Sequence, residues 1–199
     1  LGLCACADSI NEKRRENPSH PAFERISSKK SGLDFFNWIR ENHVHNIFTY
    51  DYMYNGAGLA LGDINNDGLI DIYFTGNVAN NKLFLNKGNL KFEDITLSAG
   101  VQAKDSWCNG VTMVDINNDQ LLDIYVSRAF TKEFPQLRQN LLYINNGDLS
   151  FTEQAAQYGI ADQGYSTQAC FFDSDNDGDL DLFVANHPED FKIKGRANY

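Results

Sequence analysis

Short hydrophobic runs separated by polar, glycine-containing loops fill most of the chain. The runs are four or five residues long and rich in β-branched and aromatic side chains, a composition typical of strands. One set of runs flanks nine-residue polar loops, at 58–61 and 72–75, 111–114 and 124–127, and 169–172 and 182–185. A second set flanks tight turns that carry Gly88 or Gly147, at 82–86 and 90–93 and at 141–145 and 149–152. The pattern therefore predicts strands joined into successive hairpins.

The nine-residue loops share one arrangement of side-chain oxygens. They read DINNDGLID (loop 1, 63–71), DINNDQLLD (loop 2, 115–123) and DSDNDGDLD (loop 3, 173–181), with Asp or Asn at positions one, three, five and nine. Calcium takes about six to eight oxygen ligands, which alternate carboxylates in a short loop can supply. Without a cation, such crowded carboxylates would disfavour one another's charge. We therefore predict three calcium sites, each completed by the main-chain carbonyl of position seven.

The predicted ligands are Asp63, Asn65, Asp67, Leu69 and Asp71 in loop 1, Asp115, Asn117, Asp119, Leu121 and Asp123 in loop 2, and Asp173, Asp175, Asp177, Asp179 and Asp181 in loop 3.

Two positions, counted from the first residue of each loop, refine this prediction. An EF-hand needs a glutamate at position twelve, where this chain has Phe74, Val126 and Val184, so each loop is expected to join two strands instead of two helices. Glycine at position six suits a left-handed backbone, but loop 2 has Gln120 there. We therefore expect loop 2 to bind calcium more weakly than the other two.

The loops recur after roughly 50 to 60 residues, and a repeat of that length holding four short strands is typical of a β-propeller blade. The predicted fold is all-β, built of four-stranded antiparallel blades at about 55–106 and 107–166, with a partial third blade at 167–199. Because a closed propeller needs about four to eight blades, we expect this chain to be part of a larger propeller.

The repeats resemble a known family. The pattern DxNxDGxxDIY, followed by NxLFxNxG and KFEDIT, is similar to the FG-GAP/VCBS repeats of integrin-like propellers, over about 31–188. It also resembles VCBS-repeat proteins of Bacteroidetes-type bacteria that carry an ASPIC/UnbV domain. The resemblance implies a calcium-stabilised propeller, secreted or surface-anchored, that serves adhesion or glycan-related binding.

The acidic charge of the chain belongs to the loops. The net charge is −10, and 11 of the 27 acidic residues lie in the three loops, which leaves 16 acids against 17 lysines and arginines elsewhere. With no basic patch, the chain is not expected to bind nucleic acid. No apolar stretch approaches the ~20 residues of a transmembrane helix.

The N-terminal region suggests an anchor and a tether. Residues 1–6 end in LCAC, which resembles a bacterial lipobox and makes Cys6 the candidate lipidated residue, so membrane contact is expected only through this anchor. The alternatives are the tail of a cleaved signal peptide and a short buried strand. Polar residues 7–30 are expected to form a linker. Cys108 and Cys170 are expected to be buried thiols, with a disulfide between them left open by the sequence.

The segment 31–54 is the most aromatic part of the chain. We expect it to form an extra strand or hairpin packed on the first blade, since large aromatic side chains usually bury. The alternative is a platform on which sugars stack. His43 and His45 form an HxH pair, but with no third ligand nearby in sequence they do not by themselves predict a metal site.

The sequence favours a binding protein over an enzyme. It contains no local signature of a catalytic triad or dyad, and its densest carboxylate clusters are assigned to calcium. We expect a non-enzymatic propeller that recognises a glycan or protein ligand at a bacterial cell surface, as a secreted protein or an outer-membrane lipoprotein. The alternatives are a propeller domain of a carbohydrate-active enzyme, such as a polysaccharide lyase with catalysis outside this chain, and a scaffold without a ligand of its own.

Overall fold

The computed structural model describes residues 23–43, 46–48, 50, 52–104, 106–130 and 135–188, and every structural statement below concerns those residues. Cys6, His45, residues 189–199 and most of the expected linker lie outside them. The described chain is nearly all β, as predicted. The strands are β1 Leu59–Gly62, β2 Asp71–Phe74, β3 Lys82–Asn86, β4 Phe92–Asp94, β5 Cys108–Val114, β6 Asp123–Arg128, β7 Leu141–Asn145, β8 Phe151–Glu153, β9 Ser166–Phe172 and β10 Asp181–Asn186.

The strands form two complete blades and one further hairpin. Blade 1 is an antiparallel sheet in the order β1-β2-β3-β4, blade 2 is an antiparallel sheet in the order β5-β6-β7-β8, and β9 pairs with β10. Short helices are confined to α1 Ser28–Ser31, α2 Thr96–Ala99 and a 3-10 turn at Pro135–Leu137. The predicted propeller-like architecture of four-stranded antiparallel sheets is confirmed.

The main core lies between the two blades. Ile124 and Val126 of β6 are fully buried there together with Leu83 of blade 1. Tyr73 is also fully buried, and its hydroxyl donates to the carbonyl of Val101 at 2.6 Å. Burial raises the pKa of Tyr73, so its hydroxyl stays protonated and can donate. Apolar contact between neighbouring sheets, which the alternating strand pattern provides, thus fixes how the blades stack.

The first strands of the three units lie side by side. The side chain of Asn109 donates to the carbonyl of Ser166 at 2.9 Å, and the hydroxyl of Thr112 donates to the carbonyl of Ala169 at 2.8 Å. A Cβ at Gly110 would lie 2.5 Å from the carbonyl oxygen of Thr167. Only glycine therefore permits this approach between β5 and β9.

The aromatic segment 31–54 packs on blade 1 without forming a strand in its described part, so the predicted extra strand is wrong there. Phe35 stacks on Phe74 with ring centroids 4.9 Å apart. The Asn37 amide nitrogen donates to Asn77 Oδ1 at 2.7 Å, and the Asn77 main-chain nitrogen donates to Asn37 Oδ1 at 3.0 Å. Because side chains make these contacts, the segment docks on the sheet without extending its hydrogen-bond ladder.

The hairpin β9–β10 is more open than the two blades. Phe183 of β10 is 62% exposed, whereas Tyr73 and Tyr125, which occupy the same place in β2 and β6, are fully buried. Among the described residues, β10 pairs with β9 alone. No helix in the described part of the chain is both long and apolar enough to span a bilayer.

Candidate calcium-binding loops

The first carboxylate of each loop is held by two main-chain amides. In loop 1, Asp63 Oδ1 accepts from the amide of Asp67 at 3.1 Å, and Asp63 Oδ2 accepts from the amide of Gly68 at 2.7 Å. The same two bonds recur at Asp115 of loop 2, at 3.0 and 2.8 Å. They recur again at Asp173 of loop 3, at 3.2 and 3.1 Å. The loops therefore share one backbone conformation, as their common spacing predicted.

The fifth carboxylate is fixed in the same manner in all three loops. Asp67 Oδ1 accepts from the amide of Leu69 at 2.8 Å, and Asp119 and Asp177 accept from the amides two residues later at 2.8 and 3.1 Å. The side chain of Asn65 accepts from the amide of Asp67 at 3.3 Å, which places the third position against the fifth.

Two left-handed residues produce this loop shape. At position six the φ angles are 81° for Gly68, 71° for Gln120 and 96° for Gly178. At position four, Asn66 and Asn118 have φ of 58° and 59°, and the equivalent residue of loop 3 has φ of 62°. The glycines predict the left-handed conformation at position six, whereas that at position four was not predicted, although asparagine is the non-glycine residue that most readily adopts this conformation. Gln120 takes the required shape at an expected cost of about 1–2 kcal/mol.

The ninth carboxylate joins its loop to the third strand of the same blade. Asp71 is fully buried, and its two oxygens accept from the amide of Ile64 at 3.0 Å and from the amide of Asn86 at 2.7 Å. Burial raises the pKa of Asp71, although these two amides act in the opposite direction. Asp123 repeats the arrangement with the amide of Asn145 at 2.8 Å. The ninth aspartates are thus structural residues as well as predicted ligands.

Asp181, the ninth residue of loop 3, has a different environment. It is the best exposed of the three, and it accepts from the amide of Ser174 at 2.9 Å and from the Ser174 hydroxyl. These hydrogen bonds lower the pKa of Asp181. It has no partner from a third strand in the described part of the chain.

The donor set fits a hard divalent cation. Oxygen atoms of Asp173, Asp175 and Asp177 lie within 4.8 Å of one another, so the structure brings together positions one, three and five of loop 3. Ion pairs within the described residues join Lys82 to Asp94 and Lys87 to Glu93, and neither pair involves a loop carboxylate.

A side-chain hydrogen bond with Asp177, followed by the negative charge of Asp177, raises the pKa of Asp179 in loop 3. Clustered oxygens without a cationic side chain are the ligands that Ca²⁺ prefers. The carbonyl ligands at Leu69, Leu121 and Asp179 stay predictions.

The opposite ends of the sheets carry aromatic side chains. Tyr50, Trp107 and Tyr165, which precede the first strands, pack into one cluster. His187 follows β10 and lies 3.9 Å from the ring of Tyr52, centroid to centroid. The sequence does not indicate this position of His187, because Tyr50, with which it forms a hydrogen bond, lies 137 positions away.

The remaining sequence-predicted residues are not brought into a second metal site in the described structure. His43 is exposed and belongs to none of the ligand clusters found there. Cys108 is a buried free thiol, as expected, but Cys170 is exposed and also free, so the two do not pair. Cys170 departs from the expectation because it alternates along β9 with Ala169 and Phe171, which pack against blade 2.

Two neighbouring aromatic rings of the docked segment face solvent together. Phe36 is 70% exposed and Trp38 is 63% exposed, with ring centroids 5.5 Å apart and planes tilted by 40°. Side chains along this stretch alternate between packed and exposed, so Asp34 and Arg40 share the outer side with the two rings. We call these four residues the aromatic stripe. The general expectation that the aromatic side chains of this segment bury holds for Tyr50, holds in part for the half-buried Phe35, and fails for Phe36 and Trp38.

Comparison with known proteins agrees with the repeat structure. The FG-GAP-like repeat family matches residues 46–126 and 136–184, which include all three loops. The chain is also similar to cartilage acidic protein 1 of Xenopus tropicalis, with 32% identity over 131 residues. That match covers 66% of this chain and 20% of the relative, so the chain spans about a fifth of the relative's length. Because the family match covers more than half of the chain and includes its three repeated loops, the chain belongs to the FG-GAP-like repeat family.

Proposed function

We propose that the chain is a calcium-stabilised propeller module that recognises a ligand outside the cell. The observation that carries the calcium assignment is the shared loop geometry, in which main-chain amides hold the first and fifth carboxylates in the same way in all three loops. Bound calcium would neutralise carboxylates that otherwise repel one another, and it would link both arms of each hairpin loop. The aspartates and asparagines at positions one, three, five and nine are the residues that would hold it.

Thermal unfolding with and without calcium tests this assignment. An ion that binds only the folded state stabilises it by mass action, by about 2.7 kcal/mol at a concentration 100 times its dissociation constant. Calcium at millimolar concentration should therefore raise the melting temperature, and EDTA should reverse the rise. Asp173→Asn combined with Asp177→Asn should reduce the calcium-dependent rise, whereas Asp148→Asn, an exposed acid outside the loops, should leave it intact. Identical melting in calcium and in EDTA would refute the assignment.

We assign ligand recognition to the aromatic stripe and to glycans as its ligand class. Exposed aromatic rings can stack on the apolar faces of sugar rings, and the acidic and basic neighbours Asp34 and Arg40 can hydrogen-bond to hydroxyl groups. The stripe has a fixed support, because Phe35 and Asn37, which alternate with its rings, are bound to blade 1. A secreted or surface location, with Cys6 as a lipid anchor, would suit such a ligand.

A glycan array tests the stripe. Phe36→Ala combined with Trp38→Ala should abolish binding to any glycan on the array that the unaltered protein binds. Phe48→Ala is the matched control, since Phe48 is an exposed aromatic residue of the same segment outside the stripe. Binding of the double variant to every glycan that the unaltered protein binds would refute the assignment. Binding of the unaltered protein to a protein ligand and to no glycan would identify the other expected ligand class. The module itself is proposed to be non-enzymatic.

A further inference from the structure

Loops 1 and 2 are joined across the blade interface by the side chain of Asn145. This residue ends β7, is buried, and donates from Nδ2 to the carbonyl of Ile64 in loop 1 at 2.8 Å. The same Nδ2 donates to the carbonyl of Leu122 in loop 2 at 3.2 Å, and the Asn145 amide donates to Asp123 at 2.8 Å. One residue therefore holds the second position of loop 1 and the last two positions of loop 2.

A second asparagine joins the same two loops at the surface. Asn66, the left-handed residue of loop 1, donates from Nδ2 to the main-chain carbonyl of Gln120 at 2.9 Å. Among the three position-six residues, Gln120 is the one that takes a left-handed conformation without being glycine. This hydrogen bond stabilises the strained peptide at Gln120 in loop 2. It can form only when loop 1 is folded, because loop 1 positions the Asn66 side chain.

The chain contains a matched counterpart for each asparagine. Asn86 ends β3 and makes the same bonds within its own blade, to Asp71 at 2.7 Å and to the carbonyl of Ile70 at 2.8 Å. Among the described residues, its side chain reaches no second loop. Asn118 occupies the place of Asn66 in loop 2, and the described hydrogen bonds include none from its side chain to loop 3.

We propose that Asn145 and Asn66 couple loops 1 and 2 into one cooperative cation-binding pair, in which occupation of loop 1 raises the affinity of loop 2. The proposal rests on the calcium function proposed above. A cation at loop 1 would hold the Ile64 carbonyl and the Asn66 side chain in the positions that loop 2 needs. Loop 2 depends on this support more than loop 1 does, because it lacks glycine at position six.

Coupling between two binding sites is reciprocal and is commonly about 5- to 150-fold in affinity. We expect the calcium dissociation constant of loop 2 to rise about 5- to 20-fold when loop 1 is inactivated by Asp63→Ala. Inactivation of loop 2 by Asp115→Ala should weaken loop 1 by the same factor. Asn145 and Asn66 act as positioning residues, since their side chains bind carbonyls of the loops and are not predicted ligands.

Isothermal titration with calcium chloride tests the coupling in a protein whose loop 3 is inactivated by Asp173→Asn and Asp177→Asn. The titration is repeated with Asp63→Ala, with Asp115→Ala, and with each of these combined with Asn145→Ala or Asn86→Ala. The coupling factor should fall close to one with Asn145→Ala and persist with Asn86→Ala. Asn66→Gly should reduce the coupling factor, whereas Asn118→Gly should not. Both residues are exposed, and glycine can keep the left-handed conformation at each position.

A readout without added calcium comes from amide hydrogen exchange. In EDTA, Asn66→Gly should lower the protection of the amides of Gln120 and Leu121, whereas Asn118→Gly should leave the corresponding loop 3 amides unchanged.

The outcomes separate this proposal from the calcium function. Calcium binding with equal coupling in all variants would overturn the coupling and leave the calcium function standing. Absence of calcium binding in every protein would overturn both. If Asn145→Ala fails to fold, the Asn66 and Asn118 pair decides the question.

Discussion

The ninth aspartate of loop 1 should stabilise blade 1 even when no calcium is present. Asp71 is fully buried, and its carboxylate accepts hydrogen bonds from main-chain amides of its own loop and of β3. Asp71→Asn keeps one acceptor oxygen and turns an NH₂ group towards the second amide, so one buried donor loses its partner. Loss of a hydrogen bond to a charged group costs about 1.5–3 kcal/mol. Relief of repulsion from Asp63 and Asp67 offsets a part of this cost.

A net loss of about 1–2.5 kcal/mol remains, which in a chain of this size corresponds to a fall in melting temperature of about 2 to 10 °C. The assay is thermal unfolding followed by circular dichroism in excess EDTA, so that cation binding does not contribute. Asp181→Asn is the control, because Asp181 is only partly buried and the described hydrogen bonds of its carboxylate are confined to Ser174. We expect the control to change the melting temperature little. Equal falls for Asp71→Asn and Asp181→Asn would refute the argument that β3 is held through the ninth carboxylate.

Three further measurements test other parts of the structure. Tyr125→Phe removes a hydrogen bond of 2.8 Å to the carbonyl of Ile160 and should lower the free energy of unfolding in urea by about 0.5–1.5 kcal/mol. Gln120→Gly should raise that free energy by about 1 kcal/mol in EDTA, and an unchanged value would show that loop 2 is not strained. Burial raises the pKa of Asp94, but hydrogen bonds, first that of Lys82, outweigh it and leave the pKa lowered. The Asp94 carboxylate should therefore stabilise the fold above its unfolded pKa of about 3.9, and this stabilisation should be lost as the pH falls through the lower folded pKa. The difference in stability between the unaltered protein and Asp94→Asn should shrink below about pH 4. Thermal unfolding measured across this pH range would show the change.

The parts of the fold that follow from local pattern could be predicted from sequence. The strands of both blades lie within two residues of their predicted bounds at most ends, since alternating apolar runs and the loop motif locate them independently. The first and fifth loop carboxylates could also be predicted, because their positions depend on backbone within the same nine residues. Local information was sufficient wherever the hydrogen-bond partner lies within five residues.

Features that depend on distant partners could not be predicted in this way. The dual role of Asp71 requires Asn86, which is 15 residues away, and the bridge from Asn145 to Ile64 spans 81 residues. The expected strand in segment 31–54 failed for a related reason. Aromatic composition predicts a strand, but the contact with blade 1 is made by Phe35 and Asn37 side chains, whose partners the sequence does not specify.

The three loops differ in which interaction keeps them closed. Loops 1 and 2 each carry three aspartates, and their ninth residues are buried under a third strand that donates an amide to each. Loop 3 carries five aspartates, its first, third and fifth residues are exposed, and no third strand in the described chain covers its ninth. Repulsion is therefore greatest where support from neighbouring strands is least. It follows that the conformation of loop 3 should depend most on a bound cation, while loops 1 and 2 keep their shape through the blades and through each other.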